Sequence, residues 1–392
     1  MHSDYSKLRK AEILYIVAAN QPWGFLDWIC RDLHGRTCNL TFILLHAAES
    51  PVAPWLQSRG IPFETIRAAG RLDLPRASWE IRRFLKNRHF DLVHTHFMNS
   101  CLAGLPASWL AGIELRVHTR HHCGQHAYSD RPQWELPYDY LNNSLSTHVI
   151  APCGDVKRQL LAEGVQRDQI DLIYHGFDLE AFRSVPEERV ESVRKKYGIR
   201  GSPVIGSISR FIRMKGVQYT IDAFAKLLRI HPRAQLVLAN AWGRYAEELR
   251  SRLAQLPSGS YVEVPYETDV YALYRTFDVF VHVPVSPRIE GFGQTYVEAL
   301  AAGVPSVFTK AGVAHDFIVD RENALVVDYQ NSDQIGNAMA EILEDPVLRR
   351  RLVENGFNSV SQRFDIRSHV FRLDALYGRL TGNSLGVSYA RA

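Results

Sequence analysis

Two stretches of this 392-residue chain place chemistry-bearing side chains at spacings that ask for a ligand. The first is Glu290-Gly-Phe-Gly-Gln-Thr-Tyr-Val-Glu298. Gly291 and Gly293 permit close backbone approach, and a helix beginning near Gly293 would aim its free N–H groups at whatever the loop holds. A phosphate suits such donors. The two glutamates repel a phosphate and suit neutral polyols, accepting hydrogen bonds from sugar hydroxyls at either end of a nucleotide-sugar. Taken singly, Glu298 reads equally as an exposed helix residue and Glu290 as a loop charge. The second stretch is Ser209-Arg210-Phe-Ile-Arg213-Met-Lys215-Gly216. Arg210 and Lys215 stand at the opening of a helix, where cations oppose the dipole unless an anion joins them. A diphosphate between them resolves that conflict and stabilises charge developing on a leaving group.

A third group is a histidine cluster: His94, His96, His118, His121, His122 and His126. His94 and His96 alternate on a strand and share one face, so a zinc site is imaginable. Only Asp91, at the strand start, offers a carboxylate at tight spacing. No Asp-x-Asp occurs, so the diphosphate lacks its usual metal-ligand pair, and neither metal nor another cofactor is expected. A phosphate-binding Gly-x-x-x-x-Gly-Lys-Ser/Thr loop and a Gly-x-Ser-x-Gly nucleophile elbow are also missing.

The elements that must position these residues alternate in type. Short apolar runs at 13–18, 40–46, 91–96, 115–119, 148–152 and 171–174 read as strands with helical patterns between them. A charged stretch at 186–196 interrupts the rhythm, and a second series follows at 203–209, 235–240, 278–284, 305–309 and 324–328. Continuous apolar strands followed by helices indicate parallel βαβ units. The expected fold class is α/β, with two Rossmann-like doubly wound domains facing across a cleft. A first domain is expected over 1–190 and a second, holding the two leading motifs, over 191–365. A C-terminal helix and tail, 366–392, should return toward the first domain. Ligands of such sheets bind beyond the carboxyl ends of the strands, so the chemistry belongs in the loops there.

Composition narrows the class. The chain is 46% hydrophobic and 22% charged, ordinary for a globular protein. The first 190 residues carry 21 basic and 21 acidic groups, so the whole excess of +4 falls after them. No concentrated basic face points to nucleic acid. Five cysteines, never spaced as CxxC, favour a reducing compartment. With no apolar run of spanning length and no signal-peptide core, the expected location is cytoplasmic or at the inner membrane surface. Arg76, Arg82, Arg83, Lys86 and Arg88 face one acid, Glu80, with Trp79, Phe84 and Leu85 interleaved. That segment, 76–88, reads first as a solvated helix covering a sheet, and second as a peripheral membrane contact.

Together the two leading motifs resemble the glycosyltransferase family 4 group of retaining, nucleotide-sugar-dependent enzymes with the GT-B fold. That family carries a glutamate–seven residues–glutamate motif preceded by an Arg…Lys-Gly loop, matched here by Glu290/Glu298 and Arg210/Lys215. Asp171-Leu-Ile-Tyr-His-Gly176-Phe-Asp178 looks like the family's entry into its second domain, and Ala301-Ala-Gly303-Val-Pro305 like its continuation after the second glutamate. The resemblance runs from about residue 11 to 375. It implies that Arg210 and Lys215 hold the donor diphosphate, Glu298 the ribose and Glu290 the transferred sugar. The backbone of Gly291, Phe292, Gly293, Gln294 and Thr295 would hold phosphate and sugar oxygens. Of the family's usual glycine pair after the first strand only Gly24 stands, behind Trp23. Val117-His118-Thr119-Arg120-His121-His122 resembles the Thr-x-His element, which sets His121 at the reaction centre and Thr119, His118 and His122 at sugar or acceptor contacts.

The implied activity is a retaining, metal-independent glycosyltransferase of hexosyltransferase type. Its catalytic group would be His121, Glu290, Arg210 and Lys215. Its donor would be a UDP-sugar in preference to a GDP-sugar, with Pro265, Tyr266 and Tyr271 offering faces for the base. Its acceptor would be a hydroxyl of a glycan, glycolipid or lipid-linked sugar in surface polysaccharide biosynthesis, met by an aromatic-rich segment at 128–140. Two rivals stand beside it, a sugar-nucleotide epimerase of GT-B-like fold and a non-catalytic sugar-nucleotide-binding protein.

Overall fold

The strand AEILYIV, Ala11–Val17 (β1), is buried along nearly its whole length and pairs with parallel neighbours on both sides. In this computed structural model, which describes residues 9–18, 24–123 and 136–382, β1 is an interior strand of a seven-stranded parallel sheet. The others are β2 (Cys38–His46), β3 (Phe63–Arg67), β4 (Leu92–His96), β5 (Leu115–Thr119), β6 (His148–Ala151) and β7 (Ile170–Leu172). Their order is β3-β2-β1-β4-β5-β6-β7.

Successive side chains alternate between two cores. Ile13, Tyr15 and Val17 pack with Leu40, Phe42, Leu44 and with Leu26, Ile29 and Leu33 of the Gly24–Leu33 helix. Leu14 and Ile16 pack with Ile43 and Leu45 against Leu74, Ala77, Ile81 and Leu85. Those four form the apolar stripe of the Leu74–Lys86 helix, so most of the basic segment at 76–88 is a helix covering the sheet. Burial on both faces is why these strands read as unbroken apolar runs.

The closing helix, Ile366–Thr381, belongs to this first unit. Ile366, Val370, Leu373, Leu376 and Tyr377 join its core, and Ile366 N–H donates to the Phe177 carbonyl at 3.0 Å. Gly176 makes the approach feasible, since a Cβ there would stand 2.6 Å from His369 Cβ.

The second unit comprises 178–365 together with, among the described residues, His122 and Cys123, so its main span begins ahead of the 191 expected from the charged stretch. That stretch is a helix, Glu187–Tyr197, with acids in its first turn, bases in its last and a left-handed Gly198 after it, all matched to the dipole. Only Val190 and Val193 are buried on it, so its apolar pattern is faint. The sheet has six parallel strands: β8 (Val204–Ile208), β9 (Gln235–Ala239), β10 (Tyr261–Val264), β11 (Val279–His282), β12 (Ser306–Phe308) and β13 (Leu325–Val326). Their order, β10-β9-β8-β11-β12-β13, reverses direction at β8, so the loops after β8 and β11 border a switch-point crevice. Among the described residues no helix is long and apolar enough to cross a membrane.

Candidate active site

The loops after β8 and β11 are the two singled out from sequence. After β8 the chain passes Ser209 and Arg210, makes a short 3-10 turn, Arg213–Lys215, and enters the Val217–Leu227 helix through Gly216. Gly216 has φ +76°, and a Cβ there would fall 1.8 Å from the Val283 carbonyl oxygen of the facing loop. Only glycine lets the two loops come so close. Lys215 Nζ then donates to Glu290 Oε1 at 2.6 Å, and His282 Nε2 reaches the same oxygen at 3.2 Å. Burial alone would raise the Glu290 carboxyl, but the Lys215 ammonium and the His282 hydrogen bond outweigh it and hold it at about 2. Burial lowers His282, opposed by Glu290, so this imidazole is a neutral donor into a fixed carboxylate.

Beyond Glu290 the backbone turns through Gly293, at φ +88°, which caps the Gln294–Ala301 helix. Gly312 supports the turn from the neighbouring strand's loop, where a Cβ would meet the Phe292 carbonyl oxygen at 2.6 Å. Phe292 is buried edge-on to Phe364, 6.0 Å between centroids. Gln294 is exposed at the helix start. Thr295 Oγ1, Ser209 Oγ and His282 Nδ1 are buried with no hydrogen-bond partner among the described residues. Each of these three buried polar atoms lies in or next to one of the two loops singled out from sequence.

One helical span further on, Glu298 Oε2 accepts from the Tyr274 hydroxyl at 2.8 Å. The residue keeps part of its surface open, yet burial of its carboxyl pushes it up to about 7 against the pull of that hydrogen bond. Arg210 is exposed with its guanidinium 5.8 Å from the Trp242 ring. Tyr266 is exposed, while Tyr271 is partly buried edge-on to Phe182 at 4.7 Å.

In the first unit the histidines assemble at the ends of β4 and β5, where His96 lies beside Thr119. His94 Nε2 pairs with Thr119 Oγ1 at 2.9 Å and His94 Nδ1 with the Tyr377 hydroxyl at 2.7 Å. Tyr377 in turn bonds the Tyr15 hydroxyl. His96 Nδ1 meets His121 Nε2 at 3.2 Å, and His369 Nδ1 donates to the Tyr174 carbonyl at 2.7 Å. With both ring nitrogens of His94 engaged, it has no lone pair left for a metal. Among the described residues no three His, Cys, Asp or Glu side chains are grouped to hold an ion. Burial, then repulsion from neighbouring imidazoles, holds His94, His96 and His175 well below the usual histidine range, and burial lowers His369 to about 4.

Thr119 and His121 therefore come together, while His118 does not join them. Its side chain leaves the opposite face of β5, buried, with Nδ1 on Ser146 Oγ at 2.8 Å. His122 is grouped with the second unit. Gly24 is the first residue of its helix; Trp23, His126 and residues 128–135 of the aromatic-rich segment lie outside the described residues. Sequence reasoning missed His282, Tyr274, His175, His369 and Tyr377. The segment holding His175 was noticed, but the tyrosines and His282 sit inside apolar patterns that mask them.

Two family models match. Residues 29–181 match Glycosyltransferase Family 4, and residues 189–359 match Glycosyl transferases group 1. The mannosylfructose-phosphate synthase of Agrobacterium fabrum is 26% identical over 311 residues, covering 72% of this chain and 67% of that protein. The GDP-mannose-dependent alpha-(1-6)-phosphatidylinositol monomannoside mannosyltransferase of Mycolicibacterium smegmatis is 32% identical over 180 residues, 44% of this chain and 46% of that protein. In fold, the crystal structure of Anabaena Alr3699/HepE in complex with UDP and glucose superposes with a TM-score of 0.81 at 22% identity, over 94% of this chain and 100% of that one. With a Glycosyltransferase Family 4 domain in its first unit and a group 1 domain in its second, the chain is a glycosyltransferase of the family 4-like, GT-B kind.

Proposed function

We propose that the chain moves a hexose from a nucleoside-diphosphate sugar to an acceptor hydroxyl with retention of anomeric configuration and without a metal ion. The observation that carries this is the Lys215–Glu290–His282 assembly beside a glycine-capped helix start at the switch point of the second sheet. Arg210 and Lys215 neutralise the diphosphate and the charge that grows on it as the sugar departs. The backbone from Gly291 to Thr295 takes phosphate oxygens. Glu290, held as an anion, orients hydroxyls of the transferred sugar. Glu298 takes the ribose, and Tyr266 or Tyr271 the base.

His121 and Thr119 contact the transferred sugar. Thr119 and His121 are hydrogen-bonded to imidazoles, and the carboxylates of Asp139 and Glu163 are held by Arg120 between them, which favours attack on the same face over a covalent glycosyl-enzyme. A UDP-sugar is the favoured donor, supported by UDP and glucose in the Anabaena structure. GDP-mannose is the named donor of the mycobacterial relative, whose acceptor is a phosphatidylinositol mannoside, so a lipid-linked or glycan acceptor in surface-glycan assembly fits this chain as well. Exposed Leu72 and Trp79, beside Arg76, Arg83 and Lys86, suit peripheral contact with the inner membrane surface. Salt-sensitive sedimentation with anionic vesicles, lost when these arginines are replaced, tests that contact.

NMR of the first-formed product tests the reaction itself. Release of nucleoside diphosphate with an anomer matching the donor is the expected result. An inverted anomer, or a trapped glycosyl-enzyme, would overturn the mechanism.

A further inference from the structure

Phe97, between β4 and the Met98–Leu110 helix, breaks two local rules at once. Its backbone stands at φ 69°, ψ 157°, a region almost reserved for glycine. It also occupies the helix N-cap, where Ser, Thr, Asp or Asn would normally satisfy a free N–H, and it makes no side-chain cap. Apolar burial does not account for it, because the side chain is 38% exposed.

What the conformation does achieve is a contact. The Phe97 ring lies on the His121 imidazole with centroids 4.6 Å apart and planes within 19°. His175 is also near-parallel to His121, at 5.4 Å and 14°, and His96 holds the His121 Nε2 at 3.2 Å. Two flat rings fix the imidazole plane and one hydrogen bond fixes its rotation about that plane. A position that breaks local rules with no local gain is where function is to be sought.

We propose that Phe97 is a positioning residue for sugar transfer: its strained backbone lays the ring along His121 and holds that imidazole ready for the transferred sugar. This rests on the reading of His121 as a sugar contact. A preset imidazole loses no orientational freedom when the donor binds, and the gain appears in the rate of transfer rather than in donor affinity. His175 does the same from its own side, but it is buried, so its replacement would confuse positioning with packing.

The test compares Phe97→Gly, Phe97→Ala, Phe97→Tyr, His121→Ala and the double variant Phe97→Ala/His121→Ala in the full chain. The readouts are Tm, and kcat and KM for nucleoside diphosphate release from whichever UDP- or GDP-sugar most stabilises the wild type. Glycine relieves the backbone, so Phe97→Gly should melt no lower than wild type while kcat falls on the order of tenfold to a hundredfold. Donor KM should stay within about twofold. Phe97→Tyr keeps the ring and should keep the rate, and the double variant should be no slower than His121→Ala alone. Unchanged kcat in the Gly and Ala variants, with His121→Ala slow, overturns the positioning role and leaves His121 in place. Rate losses that follow losses in Tm, with Phe97→Tyr equally slow, overturn it as mere structure. A wild-type rate in His121→Ala removes the reading of His121 and the proposal with it.

Discussion

Lys215 Nζ and Glu290 Oε1 meet at 2.6 Å across 75 residues of sequence, where the loops after β8 and β11 converge. The pairing changes what each can do. Lys215 is no bare cation waiting for phosphate, and Glu290 is fixed as an anion. On the proposed donor placement, a diphosphate that draws on Lys215 would loosen Glu290 toward sugar hydroxyls, coupling the binding of the two ends of the donor.

Removing one partner of this buried pair strands the other. Lys215→Ala should lower stability by about 3 kcal/mol in urea unfolding. Lys215→Met/Glu290→Gln should recover most of that loss, because the charge is then gone from both sides.

Glu298 gives a proton signature. Burial pushes its carboxyl up to about 7, and ribose hydroxyls donating to it, as proposed, would favour the anion. Nucleotide binding near neutral pH should therefore release a fraction of a proton, seen as a calorimetric enthalpy that varies with the ionisation heat of the buffer. Glu298→Gln should abolish the variation. The sign for stability is the reverse of a salt-bridged acid: the folded value lies above the ordinary glutamate value of 4.5, so stability falls as pH rises from about 4.5 to about 7 and is level above.

The histidine cluster predicts acid lability. His94, His96, His175 and His369 are held below 6.5, so their contribution is present above that pH and lost as pH falls, since the unfolded chain takes up protons that the folded one refuses. Each can cost up to about 1.4 kcal/mol per pH unit. Tm should drop steeply from pH 6.5 toward 4, further than the Glu298 effect can offset. Tyr377→Phe, which strips the hydroxyl from His94 and Tyr15, should cost about 1–3 kcal/mol at neutral pH.

Two glycines of similar φ should differ sharply. Gly216→Ala drives a Cβ to 1.8 Å from the Val283 oxygen and should abolish donor binding along with much of the second unit's stability. Gly198→Ala meets nothing within 4 Å and should cost only about 1 kcal/mol of backbone strain. Nucleotide titration and thermal melts of both variants check the contrast.

What the sequence made legible follows from burial. Strands covered on both faces announce themselves as apolar runs, and the two leading motifs are local in sequence, so Lys215, Glu290 and Glu298 stand out as candidates from their spacing together with the family resemblance. The edge strands β3 and β10 escaped, because FETIR and YVEV are half-exposed and carry no apolar run. Tyr377 escaped for another reason: it reaches His94 from 283 residues away, on a helix whose pattern shows only that one face is buried. His282 hides at the end of VFVH, where the strand pattern says core and nothing says hydrogen bond. Phe97 looks in sequence like any residue opening a helix, and its positive φ is visible only in three dimensions.

The most direct measurement of the donor site is a thermal-shift series with UDP-, GDP- and ADP-sugars on the wild type and on Lys215→Ala. Stabilisation of the wild type by one donor, lost in the variant, is the expected result. Stabilisation by none of the three, or equal stabilisation of both proteins, would contradict a nucleotide-sugar site between Arg210, Lys215 and Glu290.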